Sequence, residues 1–194
     1  MIVVLSCVLA LLIFAAYYLW YGSNLNENLK KALKLFVDLS PVFIWMLYRN
    51  IPSFIFLSLC LLANIVIFQN NVIGAVIFIM AYSFGAIWSV IPLSFNLIYL
   101  IISFVVAVVV IYNILKVYKE NQVGVIIYGF TASLSCLYAF FITWNFGFLA
   151  LVVGDTILMF NEVSYKKSLH LISNFFYFLG VCLVPVSLKV AFFY

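Results

Sequence analysis

Two carboxylates and one amide lie inside long apolar runs, where few other side chains could do chemistry. Asp155 lies in LVVGDTILMF with no basic residue within a helical turn, and Asp38 and Asn64 lie in two other apolar segments. A charged side chain at the centre of a membrane helix costs about 2.5–3.5 kcal/mol, so such residues are functional candidates by default. An unpaired carboxyl group in apolar surroundings favours its protonated form, which is the form a general acid requires.

Each of these residues also has a purely structural interpretation. Lys34 precedes Asp38 by four residues, so the two can form an ion pair on one helix face. Asn64 can hydrogen-bond between helices. His170, the single histidine, suits either a proton shuttle or an interfacial surface position. The four cysteines are widely spaced within apolar runs and are expected to pack as small hydrophobes.

The motifs of several enzyme and cofactor classes are missing from the sequence. Neither G-x-S-x-G nor a P-loop occurs, which argues against serine hydrolase and nucleotide-driven chemistry. One histidine, scattered cysteines and few acids do not make a multi-ligand metal site. We therefore expect a protein that requires no metal and no cofactor.

The composition predicts that this chain is an integral membrane protein, surrounded by lipid and not by water. Of its 194 residues 69% are hydrophobic and 7% are charged, whereas soluble domains are about 25% charged. The apolar runs do not alternate at period two, which excludes a transmembrane barrel. We predict an all-α, polytopic transmembrane bundle in which residues 1–194 form one domain. The eight predicted spans are 2–21, 32–48, 53–69, 72–90, 95–115, 123–143, 146–161 and 169–191.

The basic residues predict the orientation of these spans. Seven lysines fall on one side of an eight-span arrangement, and Arg49 and Lys189 fall on the other. Because basic loops stay in the cytoplasm, both termini are predicted to be non-cytoplasmic. This asymmetry accounts for the net charge of +4 without nucleic acid as a partner. We take the bacterial inner membrane as the working expectation, although the sequence does not distinguish it from the endoplasmic reticulum and indicates no oligomeric state. The seven lysines are Lys30, Lys31, Lys34, Lys116, Lys119, Lys166 and Lys167.

The predicted spans place the polar candidates at a common depth. With a rise of 1.5 Å per residue, Asp38, Asn64 and Asp155 lie roughly 8–10 Å below the cytoplasmic surface. We therefore predict one polar cavity, open to the cytoplasmic leaflet, that contains all three side chains. Gly147 and Gly154 are seven residues apart on one helix face and indicate close helix packing.

A weak internal similarity relates two pairs of spans. LLANIVIFQN (61–70) is similar to VVGDTILMFN (152–161), and FGAIWSVIPLS (84–94) is similar to LGVCLVPVS (179–187). The third and fourth spans would then repeat as the seventh and eighth, in the same direction. Such parallel repeats build some membrane bundles around a central site.

The segments LVVGDTILMFNEV and FYFLGVCLVPVSL resemble the lysoplasmalogenase (YhhN-like) family of eight-helix membrane proteins. Gly154–Asp155 is similar to that family's small-residue–Asp pair in helix seven. Tyr177 and Gly180, with Ser187 beyond them, are similar to its helix-eight pattern, and Pro41 to its helix-two proline. This sequence departs from the family at four positions that are polar there: Ser40, Asn64, Met80 and Val181.

The resemblance implies hydrolysis of the vinyl-ether bond of a lysoplasmalogen, a lysophospholipid taken from the bilayer, to a fatty aldehyde and a glycerophospho-headgroup. Asp155 would be the acid, and Asp38 the second carboxylate unless Asn64 orients water or substrate. The headgroup would lie near Lys34, Lys166 or Lys167, and Tyr177 would contact the substrate. Two other interpretations stay open: a non-catalytic relative that binds lipid or assists membrane assembly, and a small transporter subunit.

Overall fold

The computed structural model describes residues 1–67, 70–91, 93–117, 122–163 and 165–190. Over these residues the chain forms nine α-helices and no strand, which confirms the predicted all-α class. The helices are α1 (Ile2–Gly22), α2 (Glu27–Asp38), α3 (Ser40–Tyr48), α4 (Ile51–Ile67), α5 (Asn71–Val90), α6 (Leu97–Val117), α7 (Gln122–Thr143), α8 (Phe146–Val163) and α9 (Lys167–Val190).

Five of the described helices are long and apolar enough to cross a membrane. These are α1, α5, α6, α7 and α9, and the apolar segments Ile51–Ile67 and Phe146–Asn161 are shorter. Large apolar side chains cover the outer faces of the bundle, and on α6 only 22% of the apolar window is buried. Helices that expose such faces satisfy their own backbone groups and can be solvated by lipid. The chain is therefore built as a multi-pass helical membrane protein.

The second predicted span, 32–48, is not one helix. It divides at Leu39 into α2 and α3, because Pro41 lies in the first turn of α3 and has no N–H to continue the helical ladder. No residue of α2 is buried, and its polar and apolar side chains lie on opposite faces. Apolar content alone does not show this break, so the sequence predicted the range of the segment but not its interruption at Leu39.

α8 and α9 pack antiparallel and in close contact along their length. A Cβ atom on Gly147 would lie 2.6 Å from the backbone nitrogen of Val184, and one on Gly180 would lie 2.9 Å from the carbonyl oxygen of Gly147. Ser173 Oγ adds a buried hydrogen bond to the carbonyl oxygen of Gly154, 2.8 Å away. The close packing predicted from Gly147 and Gly154 is thus confirmed, and it fixes the position of Asp155 beside α9.

α9 is the central helix of the bundle and contains Pro185. Around the proline, side chains of other segments donate to backbone carbonyls: Tyr48 Oη to Cys182, and Asn145 Nδ2 to Leu183. Such bonds are how membrane helices tolerate a proline. Besides α8, α9 packs against α1, α3, α4 and α5, which places it in contact with five other helices.

Some predicted features lie outside the described residues. Lys119 is one of them, as are residues 68–69 and 191, which end two predicted spans, and the side chain of Lys189.

Candidate functional site

Asp155 is held between hydroxyl groups from two other helices. Tyr128 Oη on α7 donates to Asp155 Oδ2 at 2.7 Å, and Tyr82 Oη on α5 approaches Asp155 Oδ1 at 3.4 Å. Tyr82 is only 1% exposed, and Asp155 is partly buried. A polar side chain inside a membrane is stable where other helices supply its hydrogen bonds. The carboxyl group is therefore positioned jointly by α5, α7 and α8.

Asn64 and Tyr177 form the second polar contact at this level of the bundle. Asn64 Nδ2 on α4 donates to Tyr177 Oη on α9 at 2.8 Å. The Phe78 ring lies between the two sites, with centroids 5.7 Å from Tyr82 and 5.9 Å from Tyr177. We call Asn64, Tyr82, Tyr128, Asp155 and Tyr177 the Asp155 cluster.

A cavity of about 10 Å³ lies against the carboxyl group of Asp155. Besides Asp155, the polar or sulfur-bearing lining residues are Tyr82, Tyr128, Ser133, Cys136, Thr156 and Met159. A volume of this size, with several polar partners, is enough for a single water molecule. The cluster can therefore place one water beside a carboxyl group that is already oriented.

Asp38 is not part of this site. Its carboxylate accepts from Lys34 Nζ at 2.8 Å, and both side chains are about half exposed. α2, which carries both residues, packs mainly against α1, and Asp38 does not line the Asp155 cavity. The prediction that Asp38 shares a cavity with Asp155 was wrong, because equal depth does not fix lateral position. The alternative, an i,i+4 ion pair with Lys34, is confirmed.

The remaining predicted site residues lie near the start of α9. Lys166 and Lys167 are both exposed, and Lys167 Nζ lies 5.5 Å from the ring centroid of Tyr21 on α1. His170 Nε2 is 2.7 Å from Tyr17 Oη, which ties α9 to α1. Lys167 and Tyr177 are ten residues apart, or about 15 Å along α9. The two lysines thus lie at the start of α9, about 15 Å along the helix axis from Tyr177 of the Asp155 cluster.

Sequence reasoning missed Tyr82 and Tyr128, the two residues that bond Asp155. Their signal was position: both lie inside predicted spans, whereas membrane tyrosines favour span ends. A buried tyrosine hydroxyl needs a partner, and the sequence offers few intramembrane acceptors. Searching for an acceptor for each mid-span tyrosine would have indicated Asp155.

No family model, curated protein or solved structure matched this chain when it was compared with each of these collections. Among the described residues, no group of three or more His, Cys, Asp or Glu side chains is placed so that it could hold a metal ion. Function is therefore inferred from the chemistry of the Asp155 cluster.

Proposed function

We propose that this protein is an integral membrane hydrolase that cleaves the vinyl-ether bond of a single-chain lysoplasmalogen. The observation that supports this most is the intramembrane carboxyl group of Asp155, held by Tyr128 at 2.7 Å beside a cavity with room for one water. A carboxylic acid and a water are the two components that acid-catalysed hydration of a vinyl ether requires. No further cofactor enters the reaction.

The reaction balances with one carboxyl group. The Asp155 carboxylic acid transfers its proton to the β-carbon of the vinyl ether, which produces an oxocarbenium ion and a carboxylate. Tyr128 and Tyr82 stabilise that carboxylate through their hydroxyl groups. Water adds to the cation while the carboxylate accepts a proton, and the resulting hemiacetal collapses to a fatty aldehyde and the glycerol hydroxyl. Paired acid and base roles of this kind are known for carboxyl groups in glycosidases.

Asn64 and Tyr177 take the orienting role in this proposal. Asn64 donates to the Tyr177 oxygen, so the Tyr177 hydrogen remains available for another acceptor. An ether oxygen or the attacking water is such an acceptor. Asp38, which pairs with Lys34 outside the cluster, has no part in the reaction.

The cavity of about 10 Å³ is too small for a lipid, so helices must separate to admit the substrate. A lysoplasmalogen resides in the bilayer and would therefore enter between helices from the lipid phase. α6 packs chiefly against α7 and α8, and its buried residues Ile111 and Ile114 form a cluster separate from the main core. Separation of α6 from α8 is therefore our proposed lateral entrance. Lys166 and Lys167 would hold the phosphate at the nearby end of the bundle.

We further propose eight membrane passes, with α2 and α3 together forming one pass and both termini on the non-cytoplasmic face. Two crossed hydrogen bonds support a parallel repeat of α4–α5 and α8–α9. Tyr82 of the first unit bonds Asp155 of the second, and Tyr177 of the second bonds Asn64 of the first. Each tyrosine is followed by a glycine three residues later. The site would then lie between the two units.

A non-catalytic lipid-binding or assembly protein is the second candidate, and one observation favours it. The Asp155 cluster contains a single carboxyl group, and the amide of Asn64 stands where a second acid would complete a pair. The transporter interpretation has less support, since the cavity beside Asp155 and the cavity lined by Ser89 and Ser187 share no described lining residue.

Purified protein in lipid nanodiscs, incubated with a lysoplasmalogen in D2O, tests the proposed reaction. Protonation of carbon predicts release of a fatty aldehyde that carries one deuterium at carbon 2, measured by mass spectrometry. A lysophospholipid with a saturated ether serves as the control and should release nothing. Intact lysoplasmalogen after prolonged incubation, with folded protein, would favour the non-catalytic candidate.

A further inference from the structure

A second and larger cavity lies toward the C-terminal end of α9, at the opposite end of the bundle from Lys166 and Lys167. Its volume is about 450 Å³, within the range of about 300–1,000 Å³ that small-molecule sites occupy. Its walls come from α1, α5, α7, α8 and α9. We call it the Ser89 pocket, and its lining residues are Val3, Ser89, Leu93, Ile142, Thr143, Trp144, Asn145, Phe146, Leu183, Val186 and Ser187.

The side-chain donors of Ser187 and Asn145 in the wall of the Ser89 pocket already bond protein acceptors. Ser187 Oγ donates to the Val184 carbonyl oxygen at 2.9 Å and accepts from Asn145 Nδ2 at 3.0 Å. With the single Ser187 hydrogen on the Val184 carbonyl oxygen, Ser89 Oγ is the donor in its 2.9 Å contact with Ser187 Oγ. Asn145 Nδ2 also donates to the Leu183 carbonyl oxygen at 2.9 Å.

Ser89 Oγ is therefore left with acceptor capacity. It is 3% exposed, and among the described residues its hydrogen-bond partner is Ser187. Thr143 Oγ1 likewise donates to the carbonyl oxygen of Ala139. A ligand that binds at Ser89 Oγ can consequently do so through a hydrogen-bond donor of its own.

The absence of charged side chains among the described lining residues indicates which kind of hydrogen-bond donor the pocket can bind. None of the described lining residues is acidic or basic, so a cationic donor would lose its hydration without a counter-charge. The walls of the pocket are largely aliphatic and aromatic. The outer faces of the surrounding helices expose large apolar side chains that lipid can solvate. These properties match a neutral hydroxyl group attached to a hydrocarbon chain.

We propose that the Ser89 pocket binds a neutral single-chain lipid whose hydroxyl group donates to Ser89 Oγ. The hydrocarbon chain lies against Leu183, Val186 and Phe146, and Trp144 lies at the pocket wall. This site is separate from the Asp155 cluster, and it binds its lipid whether or not Asp155 is catalytic.

Quenching of Trp144 fluorescence by a brominated monoacylglycerol tests this site. Titration of the protein in nanodiscs should give saturable quenching that unbrominated monooleoylglycerol reverses and that Trp144→Phe lacks. Ser89→Ala should raise Kd about five- to tenfold, since it removes one buried hydrogen bond. Ser103→Ala, which alters a buried serine on α6 bonded to its own helix, is the matched control and should leave Kd unchanged.

A second ligand keeps the test decisive if Ser89→Ala fails to fold. The dimethyl ether of the same monoacylglycerol has no hydroxyl hydrogen and should bind the native protein as weakly as the parent lipid binds Ser89→Ala. Equal affinity of the dimethyl ether and the parent lipid would overturn the proposal. Non-saturable quenching, or quenching that Trp144→Phe retains, would also overturn it.

Discussion

Asp155 is tolerated inside α8 because tyrosine hydroxyl groups meet its carboxyl oxygens. The shorter contact, from Tyr128, is 2.7 Å, and the longer, from Tyr82, is 3.4 Å. A carboxyl group without such partners would be costly in an apolar interior. The sequence indicated Asp155 as a candidate acid but not its partners, since rotation of α5 and α7 about their axes depends on packing across the whole bundle.

The two tyrosines should differ in their effect on stability. Tyr128→Phe removes the shorter hydrogen bond to a neutral carboxyl group and should lower the free energy of unfolding by about 0.5–1.5 kcal/mol. Tyr82→Phe removes the weaker contact and should cost about 1 kcal/mol or less. Unfolding of the purified variants in SDS titrations measures both values. Equal losses, or a larger loss for Tyr82→Phe, would contradict the hydrogen-bond geometry.

The ion pair between Lys34 and Asp38 on α2 should contribute little to the free energy of unfolding. Lys34 and Asp38 are each about half exposed, so Asp38→Asn should change the free energy of unfolding by at most about 0.5 kcal/mol. The same SDS titration measures it, with Lys34→Met as the matched variant. A loss of several kcal/mol in either would indicate that Asp38 has a buried partner and would reverse its assignment to the surface.

Close contact between α8 and α9 is what sets the depth and direction of Asp155. Gly147 and Gly180 contact the opposite helix through backbone atoms, which a side chain would displace. Glycine at such positions permits the short interhelical distance common in membrane bundles. The spacing of Gly147 and Gly154 was sufficient to predict this contact from the sequence.

Alanine at these glycines should separate the two helices. Gly147→Ala places a methyl group 2.6 Å from the Val184 backbone nitrogen, and we expect a loss of about 1–3 kcal/mol in the free energy of unfolding. Gly22→Ala is the matched control, because the nearest atom to its Cβ is the flexible Lys167 Nζ at 3.9 Å. Comparable stability of the two variants would show that the helices do not pack as closely as described.

The second predicted span shows where sequence periodicity fails at the level of elements. Hydrophobic residues continue from the middle of α2 through α3, but Ser40–Pro41 interrupts the backbone ladder and α2 remains amphipathic. Length and apolar content alone could not distinguish one span from two short helices. Six other predicted spans agree with α4 to α9 within a few residues because each is a continuous apolar run.

The whole molecule has two chemically different ends. Lys166 and Lys167 lie at the end where α9 begins, whereas the Ser89 pocket lies toward the other end of α9. The proposed orientation therefore places the phosphate-binding lysines in the cytoplasmic leaflet and the neutral pocket in the opposite leaflet.

Reporter fusions test this orientation. Alkaline phosphatase, which folds outside the cytoplasm, should be active when fused at either terminus of the chain expressed in a bacterial inner membrane. Fusion after Lys116 at the end of α6 should give an inactive phosphatase. An active fusion after Lys116 would contradict the proposed orientation, and opposite results at the two termini would contradict an even number of passes.

The role of Asp155 is tested most directly by aldehyde release from lysoplasmalogen by three proteins in parallel: the native chain, Asp155→Asn and Asp38→Asn. We predict that Asp155→Asn loses at least about a hundredfold in turnover, the lower range for a missing general acid, while remaining folded in nanodiscs. Asp38→Asn should retain native turnover, because its carboxylate lies outside the Asp155 cluster. Native turnover in Asp155→Asn would contradict the proposed mechanism.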